Sequence, residues 1–182
     1  MIEIRNIERV LVIGDSESGK TYLANQLIKA IPQEKLVVVT PYRDEFTSVR
    51  RRYVTVFPEK VLELITVVLK EGKEFIVIDD FDILFQNRLD DEDRALKILL
   101  VSGRHASIGW LVIARRTQDI SKLMLKQATK LFFFQTNLYL DLQIIQSMFG
   151  DKAAQIVANL NWNNHECLFI DRTTREQKVI VI

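Results

Sequence analysis

Short apolar runs recur along the chain: VLVI (10–13), LVVVT (36–40), FIVID (75–79), WLVIA (110–114) and LFFFQ (131–135). Each has the length and composition of a core strand, and helix-like segments lie between them. Residues 20–31 form an amphipathic helix stopped by Pro32, and Pro41 ends the second strand. YVTVF (53–57) alternates like a short edge strand, Pro58 opens a helix to about Glu71, and Gly72 closes it. Residues 81–89 read as a loop, and the acidic residues 90–93 suit the first turn of a helix running to about Arg104. Further helices are predicted over 121–129, within 139–149 and within 152–160. ECLFID (166–171) and QKVIVI (177–182), separated by RTTRE, read as a terminal β-hairpin. The alternation predicts an α/β fold with a central, mostly parallel sheet flanked by helices, closed by that hairpin. No internal repeat is present.

Composition narrows the reading. The 182 residues, 48% of them hydrophobic, can bury one sizeable core, so a single domain over 1–182 is expected. Lys and Arg number 25 against 24 Asp and Glu, so a polyanionic partner must be met by a local basic surface. Cys167 is the only cysteine, which excludes an internal disulfide and a cysteine-based zinc site, and points to a reducing compartment. The opening MIEIRNIERV lacks the continuous apolar stretch of a signal peptide, and no later run reaches membrane-spanning length. The expectation is a cytoplasmic protein without a transmembrane segment.

The stretch GDSESGKT (14–21) matches G-x-x-x-x-G-K-[ST] and sits at the strand-to-helix junction that this motif needs. Its backbone N–H groups and the helix N-terminus would close around phosphates. Gly14, Asp15, Ser16, Glu17, Ser18, Gly19, Lys20 and Thr21 are therefore the candidate ATP-binding residues, with Lys20 reaching the β and γ phosphates and Thr21 ligating Mg²⁺. Carboxylates beside a triphosphate would repel it, so the side chains of Asp15 and Glu17 are expected to point away.

FIVIDDFD delivers Asp79 and Asp80 to the end of a buried strand, the Walker B pattern. The first carboxylate can hold the magnesium shell and the second can accept a proton from attacking water. The alternative is that both cap the following loop. In GRHASIGWLVIARRTQDIS the fourth strand ends in Arg115, Arg116, Thr117 and Gln118, beyond the carboxyl end of the sheet where ligands bind. Gln118 can orient water or bond the γ-phosphate, or it is simply a polar loop residue. Arg104, near a helix end, is explained by the helix dipole unless it serves catalysis.

These residues together resemble the FtsK/HerA superfamily of ring-forming, DNA-translocating ATPases, and within it the small genome-packaging ATPases of membrane-containing viruses. The resemblance rests on the P-loop, on VIDDFD, on the segment from Gly103 to Phe134 in which an Arg precedes an apolar strand ending in Thr-Gln, and on the hairpin around ECLFID. It implies a P-loop NTPase fold of RecA/ASCE type. It also implies Lys20 and Thr21 on nucleotide and magnesium, Asp79 in the metal shell and Asp80 as the group that polarises water. Gln118 would sense the γ-phosphate, and Arg104 would be a finger supplied to a neighbouring subunit. The implied partners are double-stranded DNA, copies of the same chain in a pentameric or hexameric ring, and a viral capsid or membrane-associated protein. The implied location is the host cytoplasm or the virion. Asp at position 80 departs from the commoner Glu, and the short chain would omit the anchoring or DNA-orienting domains of many cellular members.

Basic clusters offer candidate DNA contacts. Lys122, Lys126 and Lys130 follow four-residue spacing on one side of a predicted helix, and Arg50, Arg51 and Arg52 precede the edge strand. Either set can equally be a solvated face. Trp110, Trp162 and Cys167 read as packing residues. Two other classes compete with a DNA motor: a nucleotide-switched assembly, conjugation or secretion accessory ATPase, and a small nucleoside or nucleotide kinase, which the Thr117–Gln118 strand end argues against.

Overall fold

The computed structural model describes residues 2, 4–5, 7–72, 74–85, 94–103 and 107–182, with only the backbone of 94, 95, 101 and 102. Its strands are β1 (Arg9–Ile13), β2 (Leu36–Thr40), β3 (Arg51–Val54), β4 (Phe75–Ile78), β5 (Gly109–Ala114), β6 (Lys130–Phe134), β7 (Glu166–Asp171) and β8 (Glu176–Val181). Its helices are α1 (Lys20–Leu27), α2 (Pro58–Glu71), α3 (Phe81–Phe85), α4 (Arg94–Ser102), α5 (Lys122–Gln127), α6 (Tyr139–Phe149) and α7 (Asp151–Ala158). They form one sheet of order β3-β2-β4-β5-β1-β6-β7-β8, parallel from β3 to β6 and antiparallel across β6-β7 and β7-β8.

The period-two geometry of a strand sends alternate apolar residues to opposite faces. Leu11, Val37, Ile76, Trp110 and Leu131 pack on one face against α2, α4, α5, α6 and α7 residues such as Ile65, Leu99, Met124, Ile145 and Val157. Val10, Val38, Phe75, Leu111 and Phe132 face the other core, covered by Leu23 and Leu27 of α1 with Phe46 and Val49. Burial on both faces is why these strands are continuous apolar runs. The two edges differ: Tyr53 and Val54 of β3 and Val179 and Val181 of β8 are exposed.

Residues 81–85 form a helix where a loop was expected, because Phe81, Leu84 and Phe85 bury one side in the core and Phe81 stacks on Phe85 at 4.7 Å. The helix predicted over 20–31 is α-helical only to Leu27 and ends in a 3-10 turn, Ile28–Ala30. Residue 130, placed on a helix face in the sequence, is the first residue of β6. The acidic residues 90–93 and Arg104 lie outside the described residues. Trp110 and Cys167 are fully buried, and burial pushes the Cys167 thiol up to about 12. Among the described residues no helix is long and apolar enough to cross a membrane.

The strand order positions the chemistry. β5 lies between β1 and β4, so the carboxyl ends of β2, β4, β5 and β1 stand side by side, with Thr40 level with Asp79 and Gly14 level with Arg115.

Candidate active site

The phosphate loop begins where β1 stops. The Gly14 N–H donates to Ala114 O at 3.2 Å, and a Cβ on Gly14 would lie 2.5 Å from the Cβ of Phe134, so the strand end fits only without a side chain. Glu17 (φ 63) and Gly19 (φ 101) take left-handed conformations that turn the chain into α1. Lys20 is 7% exposed, and its Nζ donates to the carbonyl oxygen of Asp15 at 2.6 Å. Burial, aided by the Arg115 charge, lowers its pKa from the ordinary 10.5, while Asp80, Asp15 and Asp79 oppose the shift. Glu17 is exposed, and the hydrogen bond from Lys20 to Asp15 goes to the backbone carbonyl. The Ser18 hydroxyl is buried with no hydrogen-bond partner among the described residues, an orphaned donor inside the loop that a phosphate oxygen would satisfy.

The C-terminal hairpin braces this loop. His165 Nδ1 lies 3.2 Å from the carbonyl oxygen of Ser18, and a Cβ on Gly19 would approach Ile182 Cδ1 to 2.7 Å.

Beyond β4 stand the acidic groups. Asp79 is 1% exposed and accepts a hydrogen bond from Thr40 Oγ1 at 2.8 Å. Burial, with the charges of Asp80 and Glu45, pushes its carboxyl up to about 7 against the hydrogen bonds from Thr40 and the Asp80 amide. Asp80 has φ 44 and is buried; its Oδ2 accepts from Tyr42 OH at 2.5 Å and from Arg115 Nη2 at 3.3 Å. Arg115 also pairs with Asp82 at 3.5 Å. Lys20, Asp79, Asp80 and Arg115 thus share one electrostatic neighbourhood.

Asp141 of α6 organises the loop after β5. Its Oδ1 accepts from Thr117 N at 3.0 Å, Thr117 Oγ1 at 2.6 Å and Gln118 N at 3.3 Å. The Gln118 side chain is exposed and lines an open groove of about 690 Å³ with Lys122, Lys126, Gln143 and Met148. Among the described residues no hydrogen bond joins it to residues 14–21. Thr117, by contrast, shares a small cleft with Gly14 and Arg115.

The basic clusters separate on folding. Lys130 is buried and pairs with Glu8 and Asp171, each at 3.0 Å, so it leaves the lysine stripe. Arg51 pairs with Glu71 at 2.8 Å and Glu74 at 2.7 Å, and Arg52 donates to the carbonyls of Arg43 and Glu45. These arginines hold the β3 edge. Lys122, Lys126 and Arg50 remain exposed.

The sequence reading passed over Thr40, Tyr42, Asp82, Asp141 and His165. Thr40 and Tyr42 flank Pro41 at a strand's carboxyl end, a position that already signalled the ligand side of the sheet. Asp141 and His165 carried no such signal, since only the tertiary fold brings them to the loops they meet.

A model of the ATPase family associated with various cellular activities (AAA) matches residues 10–136, which span the loop, the acidic strand and the strand between them. The chain belongs to this family. It is a P-loop ATPase. No curated protein matches the sequence. Among solved structures, the AAA chain is similar to the genome packaging NTPase B204 from Sulfolobus turreted icosahedral virus 2 in complex with ATP-γS. Identity is 21%, coverage 97% of this chain and 98% of that one, and the TM-score 0.78. It also resembles the pCW3 conjugation coupling protein TcpA, at 13% identity over 98% of this chain and 61% of that one, with a TM-score of 0.68. A third likeness is to Thermomonospora curvata EccC (ATPases 2 and 3) in complex with a signal sequence peptide, at 15% identity over 96% and 36%, TM-score 0.61. At these identities the likeness is one of fold, and it agrees with the resemblance drawn from the motifs.

Proposed function

We propose that this ATPase is the subunit of a ring motor that hydrolyses ATP to move double-stranded DNA, in the service of viral genome packaging. The observation that carries the reading is the end-to-end fold likeness to the genome packaging NTPase B204, which covers 97% of this chain, on top of a complete phosphate loop. Such a motor would act as a pentamer or hexamer in the host cytoplasm or on the virion, docked to a capsid or membrane-associated protein.

In this reading residues 14–21 hold the triphosphate, with backbone amides and the N-terminus of α1 facing its oxygens. Lys20 supplies a charge to the β and γ phosphates. Thr21 and Asp79 fit Mg²⁺: both offer hard oxygens, and Asp79 is a buried carboxylate with no cation in ion-pair contact among the described residues. The ion, when bound, would neutralise phosphate charge. Asp80 accepts a proton from water as the water oxygen attacks the γ phosphorus and the bond to ADP breaks. Gln118 senses the γ-phosphate from the loop after β5, which Asp141 holds. Arg104 is assigned as the cation donated across a subunit interface, with Arg115 and Arg116 as alternatives in cis. Hydrolysis regained on mixing Lys20→Ala with Arg104→Ala subunits tests that assignment.

A second reading, a nucleotide-switched conjugation or secretion accessory ATPase that moves no DNA, is favoured by the fold likeness to TcpA and EccC. Steady-state ATPase activity with and without long double-stranded DNA, across protein concentration, separates them. A motor shows DNA-stimulated turnover that rises per subunit as rings form. Turnover indifferent to both DNA and concentration rejects the motor.

A further inference from the structure

We infer that Tyr42 is a positioning residue for hydrolysis, holding the Asp80 carboxylate so that one chosen oxygen is left to meet the attacking water. The inference rests on the reading of Asp80 as the group that polarises water.

The two oxygens of Asp80 are treated unequally. Oδ2 accepts the phenol of Tyr42 at 2.5 Å and Nη2 of Arg115 at 3.3 Å, whereas among the described residues no hydrogen bond is made to Oδ1. The carboxylate is thus tethered by one oxygen, leaving the other as an acceptor. The backbone beneath is equally fixed. Asp80 adopts φ 44, and its carbonyl oxygen accepts the N–H groups of Ile83 at 2.9 Å and Leu84 at 3.3 Å as α3 begins. A left-handed backbone at a residue with a Cβ is costly, and such strain persists where the surroundings hold it.

Tyr42 is itself aimed by the neighbouring acidic residue. The Thr40 hydroxyl accepts the Tyr42 N–H at 3.2 Å and donates to Asp79 at 2.8 Å. One hydroxyl therefore links the placement of the phenol to the carboxylate proposed for the metal shell. Packing does not account for the phenol, since Tyr42 is 40% exposed and outside both core clusters. Its hydroxyl, partly desolvated where it meets Asp80 and bonded to that carboxylate, is pushed up to about 12, so it is a donor throughout the neutral range. An Asp reaches less far than the commoner Glu, and a short carboxylate gains more from being held at one angle.

The test is steady-state hydrolysis and nucleotide binding by the full chain carrying Tyr42→Phe, Asp80→Asn, or both, with single-turnover measurement where rates are low. Tyr42→Phe keeps the ring and removes the bond donated to the Asp80 carboxylate, together with a long one accepted from Arg115 Nη2 at 3.5 Å, so kcat should fall about tenfold with KM within about twofold of wild type. In the Asp80→Asn background the same change should add less than about a twofold loss, because its target is already altered. Tyr42→Phe at wild-type kcat, or with raised kcat, overturns the inference. So does a loss that multiplies unchanged onto Asp80→Asn, which would give Tyr42 a role independent of Asp80. Wild-type turnover by Asp80→Asn is a different result: it rejects Asp80 as the hydrolytic carboxylate, and the role of Tyr42 with it.

Discussion

The ammonium of Lys20 is hydrogen-bonded to the carbonyl oxygen of Asp15, 2.6 Å across the loop that both residues belong to. The bond closes the loop on itself and holds a desolvated cation at the helix start. Burial there lowers the pKa of Lys20, so the structure carries this charge at a cost that core packing does not require. Lys20→Ala is therefore expected to abolish ATP turnover while changing the thermal midpoint by only a few degrees, since one net hydrogen bond contributes about 1 kcal/mol. Undiminished hydrolysis by the folded variant rejects the phosphate-loop assignment.

Gly19 is expected to be intolerant for two separable reasons. Its φ of 101 strains any residue with a Cβ, and that Cβ would meet Ile182 Cδ1 at 2.7 Å. Gly19→Ala should weaken nucleotide binding and lower stability by roughly 1–2 kcal/mol. Adding Ile182→Ala removes the contact but not the strain, so recovery should be partial. Full recovery in calorimetry and nucleotide titration would show that the hairpin contact alone sets the limit.

What was legible in the chain followed from local rules. Buried parallel strands show themselves as apolar runs, and Pro58 and Gly72 bracket α2 because one fits a first helical turn and the other a left-handed exit. The loop at 14–21 was legible because its chemistry needs a fixed spacing. α3 was not, since five residues are too few to show a period and only tertiary burial makes them helical. The lysine stripe failed at its last member for a related reason. Spacing of four residues is blind to where a helix ends, and β6 claims Lys130 through the carboxylates of Glu8 and Asp171. The bond from Tyr42 to Asp80 carries no such local signal because its acceptor follows β4, a strand that the fold sets beside β2, and strand order is not written in any local pattern.

If DNA is the track, binding should weaken steeply with added salt and show little sequence preference. Replacing Lys122 and Lys126 together by Gln should flatten the slope of log affinity against log salt, because both are exposed beside Gln118 on one groove. An unchanged slope leaves them an ordinary solvated face. Lys130→Gln should behave in another way altogether. It takes the shared cation from two buried carboxylates that keep only Arg5 on Glu8 and the Thr173 and Thr174 hydrogen bonds on Asp171, so a stability loss of roughly 2–3 kcal/mol is expected in denaturant titrations. A Lys130→Gln protein as stable as wild type would contradict the buried triad.

The same triad makes a pH prediction at the end of the sheet away from the chemistry. Lys130 pairs in register with Val10 near the start of β1, whereas the phosphate loop follows Ile13 at the other end of that strand. Burial alone would raise the carboxyl of Asp171, but hydrogen bonds from Thr173, Lys130 and the Thr173 and Thr174 amides outweigh it and hold the group at about 2, below its ordinary 3.8. A carboxylate depressed on folding favours the folded state most when both states are ionised. Its contribution is therefore complete above about pH 4 and is lost as pH falls through about 2, and a shift of this size corresponds to roughly 2 kcal/mol. Asp171→Asn should be less stable than wild type at neutral pH, with the gap narrowing between pH 4 and 2 in denaturant titrations. Nucleotide affinity at pH 7 should be nearly unchanged, because the triad and the phosphate loop sit at opposite ends of β1. Stability curves that stay parallel down to pH 2 would mean that Asp171 does not carry the acid limb, and the Lys130 pairing would then be Glu8's alone.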